Sequence, residues 1–374
     1  MSPIDDRPTT NGDPEPIAAA DEAPTALGKL SGEVVRGGMF LAGRYGLGVL
    51  VSVGNMLVMT WWIGPHAYGL FVTAVGIVAF LASLARAGID TYLVRCDTPP
   101  DDGTYGTATA LILGSSLALV VAGAALAPML IHWFGSREFL LPYLTLLLTI
   151  PVTGLSGIPM ASLERALDFR RIAAVELMSQ FAGLIVAATL AYLRAGVWAP
   201  VTGQITWQTF TLLGILPAAR VPKHLRFDHA QVRPMLSYGM SLTASLRTWQ
   251  LRTLVNPLLV GRFAGADGVA FVALAIRIAE ALGAFRLAAG RIAIAALARL
   301  QKRGEEFARA LEQALYLQVV TLGPLLCLFA VSGPFVIHHL IGARWMPSLG
   351  IYPFIAAPEC WSILFTICKL RRFL

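Results

Sequence analysis

Charge is what this sequence has least of. Charged residues make up 14% of the 374 positions and hydrophobic residues 56%, whereas a soluble domain carries roughly 25% charge. That excludes an ordinary water-solvated globule. Cysteine is scarce too: Cys96, Cys327, Cys360 and Cys368 are the four present. None forms a CxxC or another metal-type spacing, so neither a metal site nor a disulfide framework is read. Histidine offers no catalytic constellation. His66, His132, His338 and His339 stand near the ends of apolar runs, and His224 and His229 sit in a basic loop. No N-terminal segment has the pattern of a cleaved signal peptide. Residues 1–30 instead hold Pro3, Pro8, Pro14, Pro16 and Pro24 among six acids, the composition of a disordered tail.

What remains is apolar, in ten runs: roughly 38–61, 67–86, 108–133, 139–160, 172–193, 197–217, 236–260, 267–285, 314–341 and 347–368. Each is long enough to cross a bilayer core as a helix, and lipid requires backbone groups to bond within the segment. The expected fold is an all-α polytopic membrane protein of about ten transmembrane helices. Lys and Arg fall in every second loop. Lys29, Arg36, Arg86, Arg95, Arg165, Arg170, Arg171 and the basic stretches within 220–233, 286–309 and 369–372 give 20 on one side, against Arg137, Arg194, Arg262 and Arg344 on the other. By the positive-inside rule the N-terminal tail is cytoplasmic, and ten spans return the C-terminus there. Trp61, Trp62, Trp133, Trp198 and Trp345 gather at the opposite ends, where an aromatic belt is expected. The net charge of +7 comes from the basic loops. It suits an anionic lipid surface and is no evidence for nucleic acid.

The chain partly repeats itself at an offset near 200 residues. Arg36-Gly37-Gly38-Met39 matches Ser237-Tyr238-Gly239-Met240, Asn55 matches Asn256, Tyr68-Gly69-Leu70-Phe71 matches 267–271, and Arg86 matches Arg286. A duplicated six-helix unit follows, and an even number of spans makes the repeat parallel. The domains are then a tail over 1–30, a first six-helix lobe over 31–234 and a second lobe over 235–374. Only four of its six helices are present, so the second lobe reads as C-terminally truncated.

Four stretches carry a family resemblance. They are Ile63 to Phe71, Arg86-Ala87-Gly88-Ile89-Asp90 with Leu93-Val94-Arg95, Ala161 to Ile172, and Ala296 to Gln301 with Phe307 to Leu311. Through them the chain resembles the polysaccharide flippases, the O-antigen and exopolysaccharide branch of the multidrug/oligosaccharidyl-lipid/polysaccharide exporter superfamily. The resemblance implies two lobes around a central cavity. Undecaprenyl-pyrophosphate-linked oligosaccharide would be turned there from the cytoplasmic to the periplasmic leaflet of a bacterial inner membrane, with no cofactor. It implies as partners the lipid-linked oligosaccharide, membrane lipids, and a polysaccharide polymerase and glycosyltransferases of the same pathway.

Charges inside spans are costly and usually functional. Arg44, Arg247, Arg252 and Arg277 lie within apolar runs, with Glu280 and Glu359 the mid-span acids. A surplus of guanidinium suits an anion such as pyrophosphate, and the two acids are the candidates for ion coupling. Two other readings stay open: Arg44 snorkels to the interface, or Arg277 pairs with Glu280 at i, i+3. Arg247 and Arg252 stand about 140° apart around a helix, so one of them faces any cavity. Sugar hydroxyls would be met by Asn55, Gln180, Gln204, Trp207, Gln208, Trp249, Gln250 or Asn256, unless these amides bond helix to helix. Glycines at 38, 43, 46, 48 and 54 favour close packing of the first span. Residues 287–300 read as an amphipathic stretch on the inner interface. A multidrug-type antiporter is the alternative, but it would want acids in the cavity. A membrane polymerase or ligase would want a large outer loop, and here those loops run to about 4–6 residues.

The charge alternation makes a checkable expectation. Reporter fusions at residues 100 and 225 should read as cytoplasmic, and fusions at 136 and 344 as external. The opposite pattern at either pair would reverse the orientation.

Overall fold

The computed structural model describes residues 47–48, 50–96, 100–218, 227–282, 316, 320 and 323–357, without the side chains of 218, 238, 240–250, 252 and 253. Every regular element among them is helical. In chain order these are α1 (Leu50–Trp62), α2 (Pro65–Arg86), α3 (Ile89–Arg95), α4 (Asp102–Phe134), α5 (Leu140–Leu147), α6 (Thr149–Arg165), α7 (Phe169–Tyr192), α8 (Trp198–Ile215), α9 (229–264), α10 (266–282), α11 (Gly323–Ile341) and α12 (Pro347–Ala357). A helix therefore lies in each of the ten apolar runs. By length and composition, six stretches of helix are long and apolar enough to cross a membrane. Helices α1 and α12 are apolar but short over their described residues. Helix α8 has the length and falls outside the six, because Gln204, Gln208 and four threonines dilute its apolar residues. One of the six, Leu254–Leu282, contains the break between α9 and α10.

The helix ends follow local chemistry. Pro65 begins α2, where its missing N–H costs nothing. Asp101 caps α4: its carboxylate accepts from the Thr104 hydroxyl and, at 2.8 Å, from the Thr104 N–H. Those bonds hold the Asp101 carboxyl below its ordinary range. Ala87 and Gly88 are both left-handed, at φ 47° and 75°, and turn the chain from α2 into α3. Arg165 then ties α6 to the end of α3. Its Nη1 donates to the carbonyls of Cys96 (2.8 Å), Leu93 (3.3 Å) and Val94 (3.5 Å). A guanidinium on the open carbonyls of a helix C-terminus is favourable for the helix dipole as well.

Gly265 reverses the chain. Its backbone, φ 68° and ψ −174°, belongs to a region open in practice to glycine alone. A Cβ built on Gly261 would stand 3.5 Å from Val269, and one on Gly268 3.5 Å from Val260. Residues eight apart along a straight helix lie about 12 Å apart, so α9 and α10 form a hairpin.

Lipid tails are as apolar as leucine, so helices in a membrane are held by close packing of small residues. A Cβ on Gly69 of α2 would overlap the Ala266 carbonyl, and one on Gly239 of α9 would overlap the Ala87 carbonyl. In the α7–α8 pair, a Cβ on Gly183 would lie 2.8 Å from the Gly203 carbonyl oxygen. The apolar core forms around these contacts. Trp345, expected in the aromatic belt, is instead fully buried. Gly342, at φ 112°, begins a short turn that folds the indole inward. There it meets Tyr68 (ring centroids 5.8 Å) and Phe271 (6.1 Å), and Nε1 donates to the Thr60 carbonyl at 3.1 Å. Trp61, Trp62, Trp133 and Trp198 stay exposed at the same end.

The proximity of α2 to Ala266 predicts opposite outcomes for two glycines. Gly69→Ala should destabilise by about 1–3 kcal/mol or more through overpacking. Gly114→Ala, which meets open space within α4, should stabilise by about 0.5–1 kcal/mol. Thermal unfolding of both variants in detergent checks this, and equal midpoints would refute the tight α2 contact.

Candidate binding cavity

The cavity is built from one face of each of four helices. From α1 and the residues just before it come Gly48, Val51, Ser52, Asn55, Met56 and Met59, the i, i+3, i+4, i+7 rhythm of a helix face. Tyr68, Phe71 and Val75 come from α2, Gln180, Gly183, Leu184 and Ala187 from α7, and Pro200, Gly203, Gln204 and Trp207 from α8. Arg277 of α10 completes the lining. Its volume is about 210 Å³, below the roughly 300–1,000 Å³ of sites for drug-sized ligands. A sugar ring or a diphosphate fits such a space; a whole oligosaccharide does not.

The lining is chemically divided. Asn55, Gln180 and Gln204 supply amides that donate and accept, and Trp207, about a third exposed, supplies a flat apolar ring. The positive charge comes from Arg277. Its Nη1 lies 3.4 Å from the Glu280 carboxylate, and both side chains are more than half exposed. Charge-assisted bonds are normally nearer 2.7–2.9 Å, so this is a loose pair. It uses one of the five guanidinium N–H donors. Arg277 therefore both pairs with Glu280 and faces the cavity. Glu280 itself does not line the cavity.

The structure brings Asn55, Gln204, Trp207 and Arg277 to one site. Gln208, expected to share the wall with Gln204, is half-buried and lies beyond the lining, which on α8 stops at Trp207. Asn256 is half-buried in α9, next to buried Pro257, and is also outside the lining. Arg44, Glu359 and the stretch 287–300 lie outside the described residues, as do the side chains of Arg247, Trp249, Gln250 and Arg252. Tyr68, missed as a site residue in the sequence, sits in the wall because its ring is trapped by Trp345 and Phe71. That contact joins positions 277 apart in sequence, and no periodicity signals it.

The tryptophan-rich end of the bundle is tied across by side chains. Trp61 donates to the Leu340 carbonyl, and Arg344 donates to the Trp61 carbonyl at 3.3 Å. Trp133 donates to the Leu258 carbonyl at 3.2 Å. Arg262 returns a bond of 3.0 Å to the Trp133 carbonyl and lies 5.4 Å from that indole. His66 stands between Glu138 and Asp267, at 3.1 and 3.6 Å. These contacts link α1, α2 and α4 to the helices after residue 229.

Comparison with known proteins gives three findings. A family model described as polysaccharide biosynthesis protein matches residues 58–349. The succinoglycan biosynthesis transport protein ExoT of Rhizobium meliloti (strain 1021) is 24% identical over 303 residues. That alignment covers 77% of this chain and 59% of ExoT, so the chain spans less than two thirds of its relative's length. Among solved structures, an inward-facing conformation of a multidrug resistance MATE family transporter of the MOP superfamily superposes with a TM-score of 0.59. The identity there is 16%, over 85% of this chain and 78% of that one. The expected all-α architecture is thus a MATE-like fold, in keeping with the resemblance carried by the four sequence stretches.

Proposed function

This chain belongs to the polysaccharide biosynthesis protein family, and we propose that it carries a lipid-linked oligosaccharide across the bacterial inner membrane. The observation that carries the proposal is Arg277, a guanidinium set in the wall of a cavity that also holds amides and aromatic rings among its aliphatic side chains. Guanidinium matches the oxygens of a diphosphate, while amides and a tryptophan face suit sugar hydroxyls and sugar rings. An undecaprenyl-pyrophosphate-linked glycan offers both chemistries. Arg44, in the first apolar run, and Arg247 and Arg252, in the seventh, add further positive charge within apolar runs. The small cavity volume fits a site that grips the diphosphate and nearest sugar while the rest of the glycan stays in water.

The proposed orientation puts the arginine-rich loops and both termini in the cytoplasm and the tryptophan-rich end at the periplasmic face. The bonds across that end then describe a transporter closed to the outside. The two lobes, 31–234 and 235–374, would alternate the access of the cavity, with Glu280 and Glu359 as candidate ion-coupling acids. A polymerase and glycosyltransferases of the same pathway are the proposed partners. ExoT, a succinoglycan biosynthesis transport protein, supports a polysaccharide-related cargo. A multidrug-type antiporter is less well supported, since among the described residues the lining holds an arginine and no acid.

The test separates substrate binding from helix pairing. Arg277→Ala, Glu280→Gln and the double variant are compared for protein level and glycan export in cells. If Arg277 holds the diphosphate, its loss costs export roughly tenfold or more, and the double variant stays defective at normal protein level. Restored export in the double variant would make the pair structural and remove the anion site.

A further inference from the structure

His66 occupies an unusual electrostatic position. It lies in the first turn of α2, with an exposed ring. Nε2 is 3.1 Å from a Glu138 carboxylate oxygen, and Nδ1 is 3.6 Å from one of Asp267. Glu138 belongs to the turn before α5, and Asp267 opens α10 two residues after the Gly265 reversal. A neutral imidazole has one N–H and one lone pair, so it serves one carboxylate and turns its lone pair toward the other. Only the imidazolium serves both. The two acids address opposite ring nitrogens, so a single metal ion cannot be ligated by all three groups. What the arrangement selects is a proton.

The surrounding charges are otherwise engaged or lie on other segments. Arg137 neighbours Glu138 on the turn before α5. Arg262 is bound to Trp133, and Arg344, near Gly64, is bound to the Trp61 carbonyl. His132 lies in the last turn of α4. His338 and His339 lie in the last turn of α11, His339 against the Phe335 carbonyl at 3.0 Å.

We propose that His66 is a proton-binding site that locks the tryptophan-rich end: protonated, it holds Glu138 and Asp267 together across the seam between the turn before α5 and the α9–α10 hairpin, and deprotonated it releases one of them. The proposal rests on the transport reading above and on its orientation, which expose this end to the periplasm. Histidine is the side chain whose ordinary titration falls between pH 5 and 8. The closed outer face is therefore favoured by external acid and loosened as the external pH rises. A proton entering from outside acts on the gate itself, separately from Glu280 and Glu359.

Spin labels at Leu141→Cys and Phe263→Cys, both exposed positions, report the seam in the full chain, with the native cysteines exchanged for serine. Distance distributions are recorded in lipid nanodiscs at pH 5.5 and 7.5. The short-distance population should be larger at pH 5.5 than at pH 7.5 in the parent protein. It should be equal at the two pH values in His66→Gln, and likewise in Asp267→Asn, which keeps the histidine and removes one acid. A parent insensitive to pH, or variants that respond as the parent does, would overturn the lock. The readout needs no substrate, so it can succeed where the Arg277 export test fails, and the reverse.

Discussion

The contact on which most of the described structure depends is that of α2 with the α9–α10 hairpin. No side chain stands between Gly69 and the Ala266 carbonyl. In lipid the attraction between helices comes from contact alone, so separating these backbones by even one methyl group would weaken it. The approach has several consequences at once. It sets Asp267 beside His66, brings Tyr68 and Phe271 against the Trp345 indole, and places Arg277, further along α10, in the cavity wall. The Gly265 reversal is the matching requirement on the other side, since a continuous helix there would carry Arg277 away from α2.

Within that frame the cavity separates its tasks by helix. The amides and the indole come from α1, α7 and α8, and the cation comes from α10. A change in the distance between those two groups of helices therefore alters how far a charge stands from the amide-bearing wall, without changing either surface. The loose Arg277–Glu280 pair fits this division. Glu280 limits the cost of the arginine in a low-dielectric setting while leaving most of its donors available.

The helical segments were legible because bilayer thickness imposes length and backbone bonding imposes helix, so apolar runs translate directly into elements. The positions of Asn55, Gln204, Trp207 and Arg277 were legible for a related reason, since polar groups in apolar runs are few and must face something. Gln208 and Asn256 show the limit of that argument. Periodicity gives the face of a helix, but the point where a cavity ends depends on neighbours distant in sequence. Trp345 shows it more sharply. A tryptophan near a span end looks the same whether it lies at the interface or turns inward, and here a single left-handed glycine, Gly342, decides the matter. Arg165 belonged to the most specific family stretch, yet its service to the carbonyls of Leu93, Val94 and Cys96 depends on a crossing of α3 and α6 that no local pattern records.

Helix α8 brings Gln204 and Trp207 to the cavity, and the same residues make it a poor guest for lipid. With two glutamines and four threonines over eighteen residues, it has little drive to leave the translocon alone. Its partner α7 is apolar enough to do so, and the backbones of Gly183 and Gly203 lie against each other. The two helices are joined by a turn of five residues, 193–197. The consequence concerns biogenesis: close pairing with α7 offsets the cost of placing α8 in lipid, so the two helices would insert as a hairpin. The chemistry that equips the cavity thus also makes α8 dependent on α7.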